Sequence, residues 1–298
     1  MILFVRQSLE SVAGVPEFFG YLFAFIIGSV IGSFLNVVIH RVPNEESIVF
    51  PNSACPKCRT PIHTYDNIPV VSWLILGGKC RSCAALISPR YPAVELLTAI
   101  LFVLIVWQVG FDPVLPVYLA FGSAIVALIF IDSEHMILPN VITYPLFVFA
   151  IVVRIAFPFI VGGRWSLDMF SWPLSLFPGL PVWALSILGG ALGALVGGGF
   201  LWAVGEAWKR FRGVEAMGLG DVKMMAAVGA LLGWQLTLLS VFLGAFSGAL
   251  IGIIVVLRQK DRDLQTQIPF GIFLGIGSIV SMLFGERLIS WYLSTFVR

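Results

Sequence analysis

Charge is what this sequence has least of. Asp, Glu, Lys and Arg together make up 11% of 298 residues against 59% apolar ones, a balance that excludes a water-soluble domain of this length. Several windows of about 20 residues hold no charge, each long enough to cross roughly 30 Å of hydrocarbon, and they are too many to be the buried helices of a soluble core. The net charge of +2 points to no partner, and no nucleic-acid ligand is expected. No serine or cysteine nucleophile with a matching base stands near the apolar runs, and no G-x-G-x-x-G follows a predicted strand. The opening MILFV is too short for a signal-peptide apolar region, and no small-residue cleavage site follows, so no processed leader is expected. Cysteine is scarce too, at four, and all four lie in one hydrophilic segment.

What is present is an all-α polytopic membrane chain. Helices are predicted near residues 17–40, 91–110, 113–131, 139–161, 182–205, 222–233, 235–257 and 269–292, about eight transmembrane helices in all. The run over 222–257 is too long for one span and barely enough for two, with a break offered by Gly233 and Trp234. The short sixth helix then reaches the far side only if the bilayer thins or neighbouring protein shields its end. Pro139, Pro181 and Pro269 stand at predicted helix starts, where proline costs least. Lys and Arg accumulate in cytoplasmic loops. With the N-terminus outside, the cytoplasmic segments take Arg41, Lys57, Arg59, Lys79, Arg81, Arg90, Lys209, Arg210, Arg212, Lys223, Arg258, Lys260 and Arg262. Fusing the sixth and seventh helices would put the last three on the wrong side. Three segments are expected: residues 1–40 with the first span, a cytoplasmic loop over 41–90, and a multi-helix membrane domain over 91–298.

The loop over 41–90 carries Cys55-Pro-Lys-Cys58 and Cys80-Arg-Ser-Cys83. Two CxxC knuckles at this separation can wrap four thiolates around Zn²⁺, and Lys57, Arg59, Lys79 and Arg81 would offset the excess negative charge. Two disulfides or free thiols are the alternative, disfavoured in a reducing cytoplasmic loop. A closed four-sulfur site leaves no position for substrate, so the metal is expected to fold the loop and do no chemistry. His63, between the knuckles, is read as a loop residue.

Two aspartates sit at the ends of apolar runs: Asp132 closes FGSAIVALIFID, and Asp221 opens another run after the turn MGLG. Membrane carboxylates are functional candidates by default, and on this topology both lie at the cytoplasmic face. Each alone fits a helix cap or a pair with a cation such as Lys223. Gly218 and Gly220 suggest more, because glycines allow unusual backbone angles and leave room for an extended peptide. Two neighbouring carboxylates cannot easily both ionise, so one holds a proton while the other activates water. His135 has no nucleophile to serve and is read as a structural residue or an interfacial helper. Glu95 is an isolated membrane carboxylate, a candidate for binding an amine or a methyl donor, with pairing to Arg90 as the plainer reading. The glycine cluster over 189–199 is read as helix packing.

Taken in order, several segments resemble one family. They are GSFLNVVIHRVP (32–43), the paired knuckles with YDNIPVVSWLILGGKCRSC (65–83), SPRYPAVELLTA (88–99), IDSEHMILPN (131–140), GLGDVKMMAAVGALLGW (218–234) and IPFGIFLGIGS (268–278). The chain resembles the bacterial type IV prepilin peptidases, bifunctional leader peptidases and N-methyltransferases of the GxGD aspartic protease class, over nearly its whole length. The resemblance implies Asp132, seven residues before Pro139-Asn140, as the first catalytic aspartate and Asp221 as the second, with Glu134 as competitor for the first role. Asn140 stands where many relatives have aspartate. It further implies prepilin and pseudopilin substrates cleaved after a glycine at the membrane boundary, S-adenosylmethionine as methyl donor, and a multi-pass place in the bacterial cytoplasmic membrane among its lipids. Glu134 and Glu215 are candidates for attracting a basic leader, and Gly218 and Gly220 for hinges.

Two rivals share parts of this chemistry. An ion-coupled transporter also uses paired membrane carboxylates, but no inverted repeat relates the two halves, and its site would lie near the midplane. A presenilin-type intramembrane protease shares the GxGD turn and leaves the cysteine loop and the IPFG segment unexplained.

Overall fold

A computed structural model describes residues 14–161, 179–213, 217–258 and 269–296. The described residues are helical apart from turns and two isolated β-bridges. In chain order the helices are α1 (Glu17–Arg41), α2 (Val71–Ile75), α3 (Arg90–Val109), α4 (Leu115–His135), α5 (Asn140–Val161), α6 (Val182–Ala194), α7 (Phe200–Arg212), α8 (Leu219–Leu232), α9 (Trp234–Arg258) and α10 (Phe270–Phe296). A π-helical turn over Leu195–Gly199 joins α6 to α7 without a break. All eight predicted helices are there. Among the described residues, seven stretches are long and apolar enough to cross a membrane. The exception is α8, whose 14 residues span only about 21 Å at 1.5 Å per residue.

The chain divides into two compact units, with the boundary inside α4 between Ala127 and Leu128. In the N-terminal unit α1 packs along α3. Gly28 and Gly32 bring the backbones together, since a Cβ at either would lie 2.7 Å from the Ala99 Cα or 2.6 Å from the Glu95 Cα, the close approach that small residues give membrane helices. Ala24, Phe102 and Val106 form one buried cluster in it, and Ile39, Val94, Ala99 and Ile105 are wholly buried as well.

The C-terminal unit is built around α8, which packs against α5, α6, α9 and α10. Met224, Met225, Ala227, Val228, Ala230 and Leu231 are wholly buried, the mark of a helix surrounded by protein. The glycine cluster does pack: a Cβ on Gly193 would collide with the Gly229 carbonyl, and one on Gly197 with the Met225 carbonyl. Surrounding protein also explains how α8 can be short. Its last carbonyls would be unsatisfied polar groups in a membrane, and the guanidinium of Arg154, buried in α5, supplies the donors. Nε bonds the Ala230 carbonyl at 2.7 Å and Nη2 the Leu231 carbonyl at 2.6 Å. Gly233 then takes φ 83° and ψ 170°, a positive-φ conformation that glycine tolerates, and the chain turns into α9.

Candidate functional site

Asp221 is the third residue of α8. Its carboxylate hydrogen-bonds the backbone of Gly218, which caps the helix, the backward reach by which an acidic residue at this position satisfies a free amide. A cap therefore fixes the side chain, and the plainer reading of Asp221 holds alongside any other. Lys223 is not its partner: Nζ bonds Asn140 Oδ1 at 2.7 Å and lies 4.9 Å from the centre of the Tyr144 ring.

Asp132 lies in the last turn of α4, where a carboxylate faces the unfavourable end of its own helix dipole. Its support comes from the start of another helix. The Ile272 amide of α10 donates to Asp132 Oδ2 at 3.1 Å, and the Gly271 backbone also bonds the carboxylate. The free amides of a helix N-terminus suit an acid. The helix carrying Asp132 ends as Met136 takes φ 53° and its amide returns to the Asp132 carbonyl.

These elements bring the two aspartates together, both of them buried. A Cβ added at Gly271 would sit 2.7 Å from Asp132 Oδ2 and 2.9 Å from Asp221 Oδ1, so the two oxygens are no further apart than the sum of those distances. Gly271 is the residue whose role the sequence did not disclose. The available signal was a glycine in the first turn of a helix, where glycine is a poor former. Gly220 has a related duty, because a Cβ there would meet the Leu138 Cβ at 2.8 Å. Neither Gly218, at φ −72°, nor Gly220 adopts a left-handed angle, so the expectation of unusual backbone angles is corrected: at Gly220 the missing side chain matters, not the freedom of φ. Glu134 and His135 are exposed. Glu215 lies outside the described residues.

The cysteine loop, in the N-terminal unit, is two copies of one turn. Cys55 and Cys80 accept at their carbonyls from the amides of Arg59 and Ala84, and their own amides donate to the carbonyls of Thr60 and Ala85. Arg59 and Ala84 take φ 57° and 55°, and the bridges Ala54 to Pro61 and Lys79 to Leu86 close the two turns in the same register. All four sulfurs lie within 4.8 Å of one another, with Cys55 to Cys83 at 3.8 Å and Cys58 to Cys80 at 4.0 Å. Four thiolates about 2.3 Å from a central Zn²⁺ would stand at such separations. The hydroxyl of Thr60 lowers the Cys58 thiol to about 6. The Ala85 amide favours the Cys83 thiolate, but the neighbouring sulfurs outweigh it and push that thiol up to about 11. Four sulfurs this close do not all ionise without a cation among them. His63 stacks on Tyr65 with ring centres 5.1 Å apart, in keeping with a loop role.

Glu95 does not pair with Arg90. Its Oε2 accepts the Val70 amide at 2.7 Å, and the Ser33 side chain bonds it from α1, while Arg90 lies over the Tyr91 ring at 4.9 Å.

Comparison with known proteins covers most of the chain. Residues 26–109 match the Bacterial Peptidase A24 N-terminal domain, and residues 119–253 match the Type IV leader peptidase family. The chain is similar to the prepilin leader peptidase/N-methyltransferase of Pseudomonas aeruginosa, 34% identical over 308 residues covering 96% of this chain and 97% of that protein. It is similar to the protein of that name from Aeromonas salmonicida, 35% identical with 96% and 98% covered, and to that from Myxococcus xanthus, 38% identical with 86% and 70% covered. No solved structure matches the chain.

Proposed function

Because the chain belongs to the type IV leader peptidase family, we propose that it is a multi-pass membrane aspartic endopeptidase that removes the leader of type IV prepilins and pseudopilins and then N-methylates the new terminus. The observation that carries the peptidase reading is the convergence of Asp132 Oδ2 and Asp221 Oδ1 on one point beside Gly271. Two carboxyls this close share a proton. The ionised partner takes a proton from water as it attacks the scissile carbonyl. The protonated partner hydrogen-bonds the carbonyl oxygen and delivers its proton to the leaving nitrogen. The absence of a side chain at Gly271 leaves room for water and an extended backbone, and the α10 amide on Asp132 Oδ2 holds that carboxylate in register.

The site is assigned to the cytoplasmic face of the bacterial inner membrane, which the distribution of Lys and Arg supports. A prepilin leader is basic, and Glu134 and Glu215 are the acidic residues we assign to attracting it, on their nearness in sequence to Asp132 and Asp221. Cys55, Cys58, Cys80 and Cys83 would hold a structural Zn²⁺, which would fix the fold of the loop. S-adenosylmethionine would supply a methyl group from its sulfonium centre.

The test is incubation of the purified protein with a prepilin, comparing wild type with Asp132→Ala and Asp221→Ala. Leader release by wild type and by neither variant is the expected outcome. Release by either variant at the wild-type rate defeats the shared-proton mechanism, and a transporter would leave the leader attached throughout.

A further inference from the structure

The N-terminal unit contains a third buried carboxylate, one that the peptidase chemistry does not use. Glu95 lies in the membrane-spanning part of α3 and is 8% exposed. A carboxylate held there is costly without a cation, and among the described residues no cationic side chain pairs with it. What Oε2 holds is the amide of Val70, whose backbone stands at φ 61°, ψ −50°. Here the Val71 amide reaches back to the Pro69 carbonyl at 2.6 Å, closing a γ-turn of the rare positive-φ form. For a β-branched residue this is a true outlier. Strain of this kind persists where the surroundings impose it, and it gathers at ligand-binding sites.

An acceptor with no donor lies in the same seam. Asn36 on α1 is 3% exposed, and its Nδ2 donates across to the Tyr91 carbonyl of α3 at 3.0 Å, one helical turn before Glu95. With the amide nitrogen so engaged, Oδ1 is left buried with no hydrogen-bond partner. Such an atom needs an explanation in a native protein. Ser33 and Gly32, one turn earlier on α1, meet Glu95 itself. The seam thus presents a buried carboxylate that no cation neutralises and a buried amide oxygen that no donor reaches. A group carrying a positive charge and several N–H donors would satisfy both.

We propose that Glu95 and Asn36 bind a primary ammonium group. The inference rests on the methyltransferase reading, and two reactants of that reaction carry such a group: the amino-acid end of the methyl donor and the new N-terminus of the cleaved chain.

The decisive variant is Glu95→Gln in the full-length protein, because its amide oxygen still accepts the Val70 amide and preserves the strained turn while removing the charge. Leader cleavage and methylation are measured separately. Equilibrium binding is measured for S-adenosylhomocysteine and for methylthioadenosine, which lacks the amino-acid end. The expected result is cleavage within about twofold of wild type and methylation lower by about tenfold or more, the scale of a lost charge-assisted hydrogen bond. If the donor's ammonium occupies the site, S-adenosylhomocysteine binding weakens by a similar factor and methylthioadenosine binding does not. If the new N-terminus occupies it, both ligands bind as before and the KM for the cleaved chain rises. Asn36→Leu moves the same constant in the same direction. Methylation by Glu95→Gln equal to wild type overturns the proposal, and so does a parallel fall in cleavage and methylation, which would make Glu95 a structural pin. A wild-type protein that methylates no cleaved substrate defeats the underlying reading instead, and this inference with it.

Discussion

In the cysteine loop each half of the four-sulfur cluster is shaped by a turn that closes within a few residues, from Cys55 to Thr60 and from Cys80 to Ala85. In the aspartate site nothing is local. The hydrogen bond from Ile272 to Asp132 joins residues 140 apart in sequence, and the clearance around both carboxyls depends on α4, α8 and α10 meeting beside Gly271. A site made of local turns depends on the ligand that ties the turns together. A site made of helix ends depends on every contact that fixes the helices. The loop is therefore expected to respond to removal of metal, and the aspartate site to small changes of packing, including changes at residues that touch no substrate.

The largest effect expected is on the aspartates themselves. Asp132→Asn and Asp221→Asn keep shape and most hydrogen bonds but abolish the shared proton, and each lowers cleavage by about 10³-fold, the scale of general acid–base catalysis. Metal content measured on the same preparations stays at the wild-type value. Next comes Gly271→Ala. The added methyl falls 2.7 Å from one carboxyl oxygen and 2.9 Å from the other, so the carboxyls or α10 must shift, and cleavage falls by about 10²-fold, as an ångström of misplacement can cost. A Gly271→Ala enzyme at full activity would show that the two oxygens do not converge there during catalysis.

The same contrast decides what could be read without a structure. Cys55, Cys58, Cys80 and Cys83 announce a cluster because the spacing within each CxxC already limits the turn. The eight helices were legible from uncharged runs, and Asp132 and Asp221 stood out because acids at the ends of such runs are costly. The contribution of Gly271 was not legible. One glycine of 30 acquires meaning only when two side chains from other helices close on it. Arg154 was hidden for a related reason, since a lone arginine in an apolar run gives no hint that its partners are the carbonyls of Ala230 and Leu231. Glycine at positions 218 and 220 suggested freedom of φ, yet at Gly220 the demand comes from Leu138, again a residue distant in sequence.

Arg154→Met tests the packing side of the comparison away from the chemistry. Losing the guanidinium leaves two carbonyls at the end of α8 without their donors, a loss of about 2 kcal/mol for charge-assisted bonds. A lowered thermal midpoint in detergent, with residual cleavage reduced to match, is the expected reading, and Arg154→Lys falls between the two. On the loop side, Cys55→Ser or treatment with a chelator is expected to empty the four-sulfur site. Cleavage then changes by only about threefold, because the carboxyls and the amides that hold them all come from the C-terminal unit. Complete loss of cleavage on chelation would break the comparison by making the loop part of the peptidase site.

The smallest effect is expected within the loop, at an ion pair between residues that, like the partners in the aspartate site, are not neighbours in sequence. Arg81, in the second knuckle, grips Asp66 with Nε at 2.8 Å and Nη2 at 2.6 Å and also lies over the Tyr65 ring. The guanidinium holds the Asp66 carboxyl below its ordinary value. The pair's contribution is therefore complete above roughly pH 4, the unfolded value, and is lost as the pH falls through the lowered folded value. Arg81 is half-exposed, and such pairs count for little in water. Asp66→Asn should leave metal affinity at neutral pH nearly unchanged and erase only a small difference in loop stability that wild type shows between neutral and strongly acidic conditions. If Asp66→Asn instead released the metal at pH 7, the two knuckles would not be self-sufficient turns, and the loop would depend on distant contacts as the aspartate site does.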